Sequence, residues 1–452
     1  MSQKSDRVWL GTVLALSVNL PLGQSVYADA HHAHDVPNEV DMTEWYAPTT
    51  MPERIILTWS GDPATTQSVT WRTNTSVGKS FGEIALANAD GWSLEPERFE
   101  ATTERLKTKN NEAHYHSLTF ENLSPDTLYV YRVGDGKNWS EYQHFRTASD
   151  RPAPFSFLYF GDAQNDVRMH WSRVFREAFK DAPRAAFALH AGDLVNVPSS
   201  DVEWGEWHDG PAWVNGTLPV LATPGNHEYE WVNRQPTVVT AHWRPGFAFP
   251  LQDPPKGLEE TVYYIDYQGV RFISLDSNVD HAEQVPWFRK ALENNPNRWT
   301  IVTFHHPVFS PVIERDNDTL RNAWKPLLDE FKVDLVLSGH DHTYARTGDL
   351  GDRPPLKNVP DGYQQAYDPS IGTVYVVSVS GPKMYPIEEN RFAKRIAERT
   401  QLYQVIDVND AEIRFRAFTA TGELYDAFTI EKRAGQPNRL REVLPDERRA
   451  AK

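Results

Sequence analysis

The chain has 452 residues and no cysteine, and its 62 Asp+Glu against 46 Lys+Arg leave a net charge of −16. That length allows two or three domains with a full core, and without cysteine there are neither disulfides nor thiolate metal sites, so any metal is held by oxygen and imidazole nitrogen. The acidic balance excludes nucleic acid and anionic membrane as expected partners, since both bind through basic surface, but leaves phosphate substrates open because a bound metal ion inverts the local field.

Residues 1–30 read as a secretory signal peptide. Lys4 and Arg7 form the positive start, residues 8–18 the apolar core, and Ala28-Asp29-Ala30 the cleavage signal. Asn19 and Pro21 interrupt the apolar stretch before it could span a bilayer, so no membrane association is expected after cleavage. Export combined with zero cysteine points to a bacterial periplasmic or secreted protein. Residues 31–50 read as a linker, opening on the loose cluster His31-His32-Ala33-His34.

Residues 51–149 read as all-β. Strand-like runs at 55–59, 68–73, 115–123 and 128–133 are separated by Gly-, Pro- and Asp-containing turns. Leu123-x-Pro125-x-Thr127-x-Tyr129 has the form of the tyrosine corner of Ig-like and fibronectin-type sandwiches. No polar cluster with catalytic spacing occurs there, so the segment reads as a packing or oligomerisation module, with carbohydrate or surface binding as the alternative.

From residue 150 strands alternate with helices, which predicts a layered α/β domain extending to 432. Val174, Phe175, Ala178 and Phe179 make one helical stripe. Leu320, Ala323, Trp324, Leu327, Leu328 and Phe331 make another between residues 317 and 332, with Pro326 predicting a kink or a late start. Residues 199–250 carry Trp204, Trp207, Trp213, Trp231 and Trp243; these rings fit the mouth of a site and core packing equally well. A hairpin is expected at 262–267 and 270–275, with further strands at 374–380, 402–406, 412–418 and 424–430. Residues 433–452 read as a loose polar tail.

Five apolar runs in this domain end in metal-compatible residues. Residues 155–160 lead into Gly161-Asp162-Ala163-Gln164, and 185–190 into Gly192-Asp193-Leu194-Val195-Asn196. Residues 218–222 lead into Gly225-Asn226-His227-Glu228, 299–304 into His305-His306-Pro307, and 333–337 into Ser338-Gly339-His340-Asp341-His342. Singly, Asp162 or Asp193 reads as well as a helix N-cap. Five such strand ends, four of them with glycine, do not fit capping; they fit a ligand site at the carboxyl ends of sheet strands.

GD, GDL, GNHE, V-x-x-H at residues 302–305 and GHDH, in this order, resemble the calcineurin-like metallophosphoesterases. Together with Pro52–Thr73, which resembles the opening of their N-terminal domain, they make the chain similar to the purple acid phosphatases. The resemblance implies a fibronectin type III-like sandwich followed by a layered α/β metallophosphoesterase domain. It implies hydrolysis of small-molecule phosphate monoesters by a hydroxide bridging two divalent or mixed-valence ions (Fe, Mn or Zn). Asp193 would bridge the ions, Asp162 and His342 would complete one site, and Asn226, His305 and His340 the other. His227 would touch the phosphate or protonate the leaving oxygen, with His306, Tyr344 and Arg346 as candidates for substrate contact. Two positions depart from the family: Asn196 stands where a purple acid phosphatase has its iron-binding Tyr, and Gln164 where other members have His. If Gln164 and Asn196 are ligands, their neutral oxygens suit Mn²⁺ or Fe²⁺ better than Fe³⁺. A phosphodiesterase or nucleotidase on the same site, and a surface-binding protein with a vestigial metal site, are the competing readings.

Overall fold

The computed structural model describes residues 40–312, 315–351, 356–357, 359–387 and 392–443. The signal-peptide segment and the clustered histidines after it lie outside the described residues. No helix among the described residues is long and apolar enough to cross a membrane.

Short alternating segments punctuated by turns build a sandwich of two antiparallel four-stranded sheets. One runs in the order Glu53–Thr58, Gln67–Asn74, Glu112–Phe120, Thr102–Lys107; the other in the order Glu97–Glu100, Phe81–Leu86, Leu128–Gly134, Gln143–Arg146. Between them lie Leu57, Trp71, Phe120, Tyr131 and Phe145. The Tyr129 hydroxyl accepts the Ser124 N–H at 2.8 Å, closing the corner expected from its spacing.

The remainder is a pair of seven-stranded mixed sheets with helices outside. The first sheet starts with the parallel strands Val220–Ala222, Ala188–His190 and Phe155–Phe160, then turns antiparallel through Leu402–Val408, Glu412–Thr419, Leu424–Glu431 and Arg439–Glu442. The second has Val270–Ser274, Trp299–Thr303, Leu335–Ser338 and Val374–Val377 in parallel at its centre. Period-two alternation sorts its residues. Ile301, Leu335, Leu337, Val374 and Val376 share the core that holds Phe157 and Phe415 of the first sheet, whereas Val302, Val336, Tyr375 and Val377 face Trp324, Leu328 and Phe288 of the outer helices. The strand before His340 is apolar on both faces because each face has its own partner.

Two expectations need correction. The helix containing Pro326 runs Asp318–Glu330, so it starts well before the proline rather than late. The segment after residue 433 is not loose throughout: Arg439–Glu442 pairs with Leu424–Glu431, and Glu442 ion-pairs with the buried Arg346. A buried guanidinium needs anions on more than one side, and the edge strand delivers the second.

The sandwich is joined to the larger layer through a buried ionic knot at Asp201, the first residue of helix Asp201–Asp209. Arg72 donates to both of its oxygens at 2.9 Å, Arg54 at 3.0 Å and Asn111 at 2.9 Å. Burial pushes this carboxyl up, but His242, Arg54 and Arg72 together hold it below the usual range. The knot therefore contributes stability above about pH 4 and loses it as pH falls. Asp201→Ala leaves two buried guanidinium groups short of an anion and is expected to cost about 3–5 kcal/mol, read from urea unfolding; a loss below about 1 kcal/mol would show that water already serves those cations.

Candidate metal centre

Every candidate ligand leaves the carboxyl end of a strand. Asp162 follows Phe155–Phe160, Asp193 follows Ala188–His190, and Asn226 follows Val220–Ala222, all in the first sheet. His305 follows Trp299–Thr303, and His340 and His342 follow Leu335–Ser338, in the second. The site forms where the ends of the two sheets meet. Turning the chain sharply there places Asp193, His340 and His342 in the left-handed region, with φ of 53°, 74° and 49°. Non-glycine residues hold such angles at a cost of about 1–3 kcal/mol each, typically at functional sites. The loops also approach closely: a Cβ on Gly225 would sit 2.1 Å from Asp193 Oδ1, and one on Gly192 would sit 2.8 Å from His305 Nδ1.

Two donor groups result. Asp193, His305 and His340 form one, Asp162, Asp193 and His342 the other, each with candidate ligand atoms within 4.8 Å of one another. The Asn226 Oδ1 atom stands 3.0 Å from His305 Nε2 and 2.9 Å from His340 Nδ1. His305 Nε2 is also 3.1 Å from His340 Nδ1 and 3.2 Å from Asp193 Oδ2. The tautomers follow from the outer partners. His305 Nδ1 faces the Ala191 carbonyl at 2.9 Å and His342 Nδ1 the Lys383 carbonyl at 2.9 Å. A carbonyl only accepts, so each Nδ1 carries a proton and each Nε2 is the nitrogen turned inward, where it offers a lone pair once it is deprotonated.

Lone pairs and carboxylates thus converge in a dry pocket, an arrangement that calls for a cation. Burial alone would lower the His305 imidazole, but Asp193 draws it up to about 9, so a proton is recruited where positive charge is required. Burial pushes the Asp162 carboxyl up, opposed by His305 and reinforced by Asp193. The donor set of carboxylate, imidazole and amide oxygen fits divalent transition metals.

Gln164 belongs to this cluster. Its Nε2 donates to Asp193 Oδ2 at 2.8 Å and lies 3.3 Å from His342 Nε2, while its Oε1 is buried without a partner. Rotating the amide would put that oxygen among the donors. Asn196 contributes its main chain instead: its carbonyl takes the Nδ1–H of His227 at 2.6 Å and so orients that ring. His306 lies at the edge, its ring centroid 4.1 Å from that of His340 and its Nδ1 2.9 Å from Ser277 Oγ.

Arg346 does not reach the site. It is wholly buried, bonded to Asp426 at 2.7 and 3.0 Å and to Glu442 at 2.8 and 3.1 Å, and the Tyr344 hydroxyl joins the same Asp426 at 2.6 Å. Strand Tyr344–Arg346 runs into the sheet, so proximity in sequence to His342 carries these residues away from the mouth.

Residues 52–147 match the family described as Purple acid Phosphatase, N-terminal domain, and residues 155–344 match Calcineurin-like phosphoesterase. The chain thus carries a calcineurin-like phosphoesterase domain behind a purple acid phosphatase N-terminal domain. It is a metal-dependent phosphoesterase of the purple acid phosphatase kind. An uncharacterised protein of Mycobacterium tuberculosis is 26% identical over 380 residues, spanning 73% of this chain and 69% of its own length. Purple acid phosphatase 15 of Arabidopsis thaliana is 25% identical over 303 residues, spanning 59% of this chain and 53% of its own length. A purple acid phosphatase from yellow lupin (Lupinus luteus) seeds shares the fold, with a TM-score of 0.70 at 18% identity over 85% of this chain and 75% of the lupin chain.

Within this phosphoesterase one residue was overlooked as a motif letter only: Glu228. Its buried carboxylate accepts the N–H groups of Asp193 and Leu194 at 2.8 Å, Val195 at 3.3 Å and Gly225 at 2.7 Å. Burial and the charge of Asp193 push this carboxyl up to about 7, against hydrogen bonds that favour its ionised form. The signal in the sequence is its place two residues after Asn226 in Gly225-Asn226-His227-Glu228. Glu228→Gln substitutes an NH₂ for one of the two accepting oxygens. The metal-free protein should lose about 1–3 kcal/mol in urea unfolding, and metal affinity should fall about 10–100-fold, the scale for groups that orient ligands. Unchanged unfolding would mean that the loops hold themselves.

Proposed function

We propose that this phosphoesterase is an exported binuclear enzyme, periplasmic or secreted by a bacterium, that hydrolyses small-molecule phosphate monoesters in the manner of an acid phosphatase. The observation that carries this reading is the membership of Asp193 in both donor groups. Asp162, His342 and Gln164 would hold one ion with Asp193, and Asn226, His305 and His340 the other. The ions, from among Fe, Mn and Zn, supply Lewis acidity that brings a water's pKa toward neutrality and offsets phosphoryl charge. Export rests on the charged start, apolar core and Ala28-x-Ala30 signal of residues 1–30.

The chain's own residues do the rest. His227 N–H donates to Asp193 Oδ1 at 2.9 Å, which ties the acid residue to the bridging position. With Nδ1 committed to the Asn196 carbonyl, Nε2 is the nitrogen that meets substrate. Protonated, it gives its proton to the departing alkoxide oxygen. His306, steadied by Ser277, takes a phosphoryl oxygen from the other side.

Metal analysis should find two ions per wild-type chain and none in Asp193→Ala, against one for a substitution confined to a single site such as His342→Ala. Two ions retained in Asp193→Ala would rule out the shared carboxylate. His227→Ala should keep both ions yet lose roughly 10²–10⁴-fold in turnover. That deficit should shrink for esters with activated leaving groups; an equal deficit across leaving groups would mean that His227 only binds phosphate. Phosphate monoesters set against matched diesters test the substrate class, and diester turnover exceeding monoester turnover would overturn it.

A further inference from the structure

The five tryptophans of residues 199–250 separate cleanly. Trp204, Trp207 and Trp243 are fully buried, while Trp213 and Trp231 are 59% and 49% exposed. Trp213 packs edge-on against Phe179, with ring centroids 5.6 Å apart. Trp231 alone among them is bonded to a candidate ligand residue: its indole Nε1 donates to the main-chain carbonyl of Asn226 at 2.8 Å. The amide of that same Asn226 faces His305 and His340.

The ring rides on a hairpin, Tyr229–Val232 paired with Gln235–Val239, which joins no other sheet among the described residues. Its two turn residues, Asn233 and Arg234, have φ of 52° and 64°, as a tight hairpin turn requires. The base is held firmly. The Tyr229 hydroxyl donates to the buried Asp276 at 2.6 Å, and Thr240 N–H donates to the Glu228 carbonyl at 2.7 Å. The hairpin thus grows directly out of the Glu228 loop, and its exposed side chains include Val232 and Val238 besides Trp231. Val197, next to the Asn196 whose carbonyl holds His227, is also exposed.

A half-exposed indole with its one polar atom already satisfied presents an apolar body that is left half-open among the described residues. It is bonded to the main chain of Asn226, whose side chain faces His305 and His340, so the exposed ring stands beside the donor groups, on the side available to the alcohol part of an ester. We propose that Trp231 is a specificity-determining residue that stacks on the leaving group, and that the enzyme favours phosphomonoesters whose alcohol carries a planar aromatic ring. This rests on the phosphomonoesterase reading and deepens it.

Adenosine 5′-monophosphate and ribose 5-phosphate break the same primary-alcohol ester bond and differ in the base, so the pair isolates stacking from chemistry. Metal-loaded wild type should show a KM about tenfold lower for the nucleotide, the scale of one base on an aromatic ring, with similar kcat. Trp231→Ala should erase that preference by raising the nucleotide's KM to that of ribose 5-phosphate in the same variant, and Trp231→Phe should keep most of it. A parallel titration measures binding of the two non-hydrolysable phosphonate analogues. Loss of base preference there in Trp231→Ala upholds the role of Trp231 even where no ester turns over, a result that would instead refute the phosphatase reading. Equal KM and equal analogue affinity in wild type, or a Trp231→Ala that weakens both ligands by the same factor, overturns the proposal, the latter because it would make the indole a support for Asn226 only.

Discussion

A single buried carboxylate holds the functional end of this phosphoesterase together. Glu228 accepts main-chain N–H groups from Asp193, Leu194, Val195 and Gly225, joining two loops that leave neighbouring strands. Those N–H groups lie where the chain turns out of its sheet and has no ladder partner, and an unpaired buried N–H is costly. By supplying the acceptor, Glu228 lets Asp193 keep its left-handed backbone and directs its side chain at both donor groups. The same loop then continues into the Trp231 hairpin, so the position of the carboxylate shared by both donor groups and that of the exposed indole have one support.

Electrostatics explains why such a cluster needs its cations. Asp162 and Asp193 are essentially inaccessible to water, as is His305. Two dry carboxylates cannot both ionise beside inward-facing lone pairs unless positive charge is present. A protonated His305 meets part of that requirement, and metal cations held by these donors would meet the rest. The outer carbonyls of Ala191 and Lys383 fix the imidazole tautomers beforehand, so the ligands do not have to reorganise to bind.

The sandwich is coupled to this end through one stretch of chain. From Asp193 it passes Asn196, whose carbonyl orients His227, and reaches Asp201, where Arg72 and Arg54 of the sandwich converge. Between them, Glu203 of the same helix accepts the N–H groups of Asn196 and Val197 at 2.6 and 2.8 Å. The sandwich therefore anchors the helix that in turn braces the loop beneath His227. Its contribution is to hold the site in place, and no ligand atom of the donor groups comes from it.

Much of this was legible in the sequence because strands and their ends are local features. Alternation and continuous apolar runs marked the strands, glycines marked close approach, and the order of Asp, Asn and His motifs marked both the family and the residues that gather. What needed the tertiary structure was every relation between side chains distant along the chain. Arg346 read as a substrate contact because it follows His342 closely, yet its partners, Asp426 and Glu442, come from strands far downstream. For the same reason residues 439–442 read as loose until they were seen to pair as an edge strand. The tryptophans of one segment could not be sorted from composition, since burial depends on what folds over them, and Trp231 stays half-exposed on a hairpin that joins no larger sheet among the described residues. Asn196 and Glu228 show the limit most directly. Residue type suggested an amide ligand and a motif letter; the fold shows in addition that the carbonyl of one and the carboxylate of the other orient their neighbours, because folding brings loops from different strands within hydrogen-bond reach.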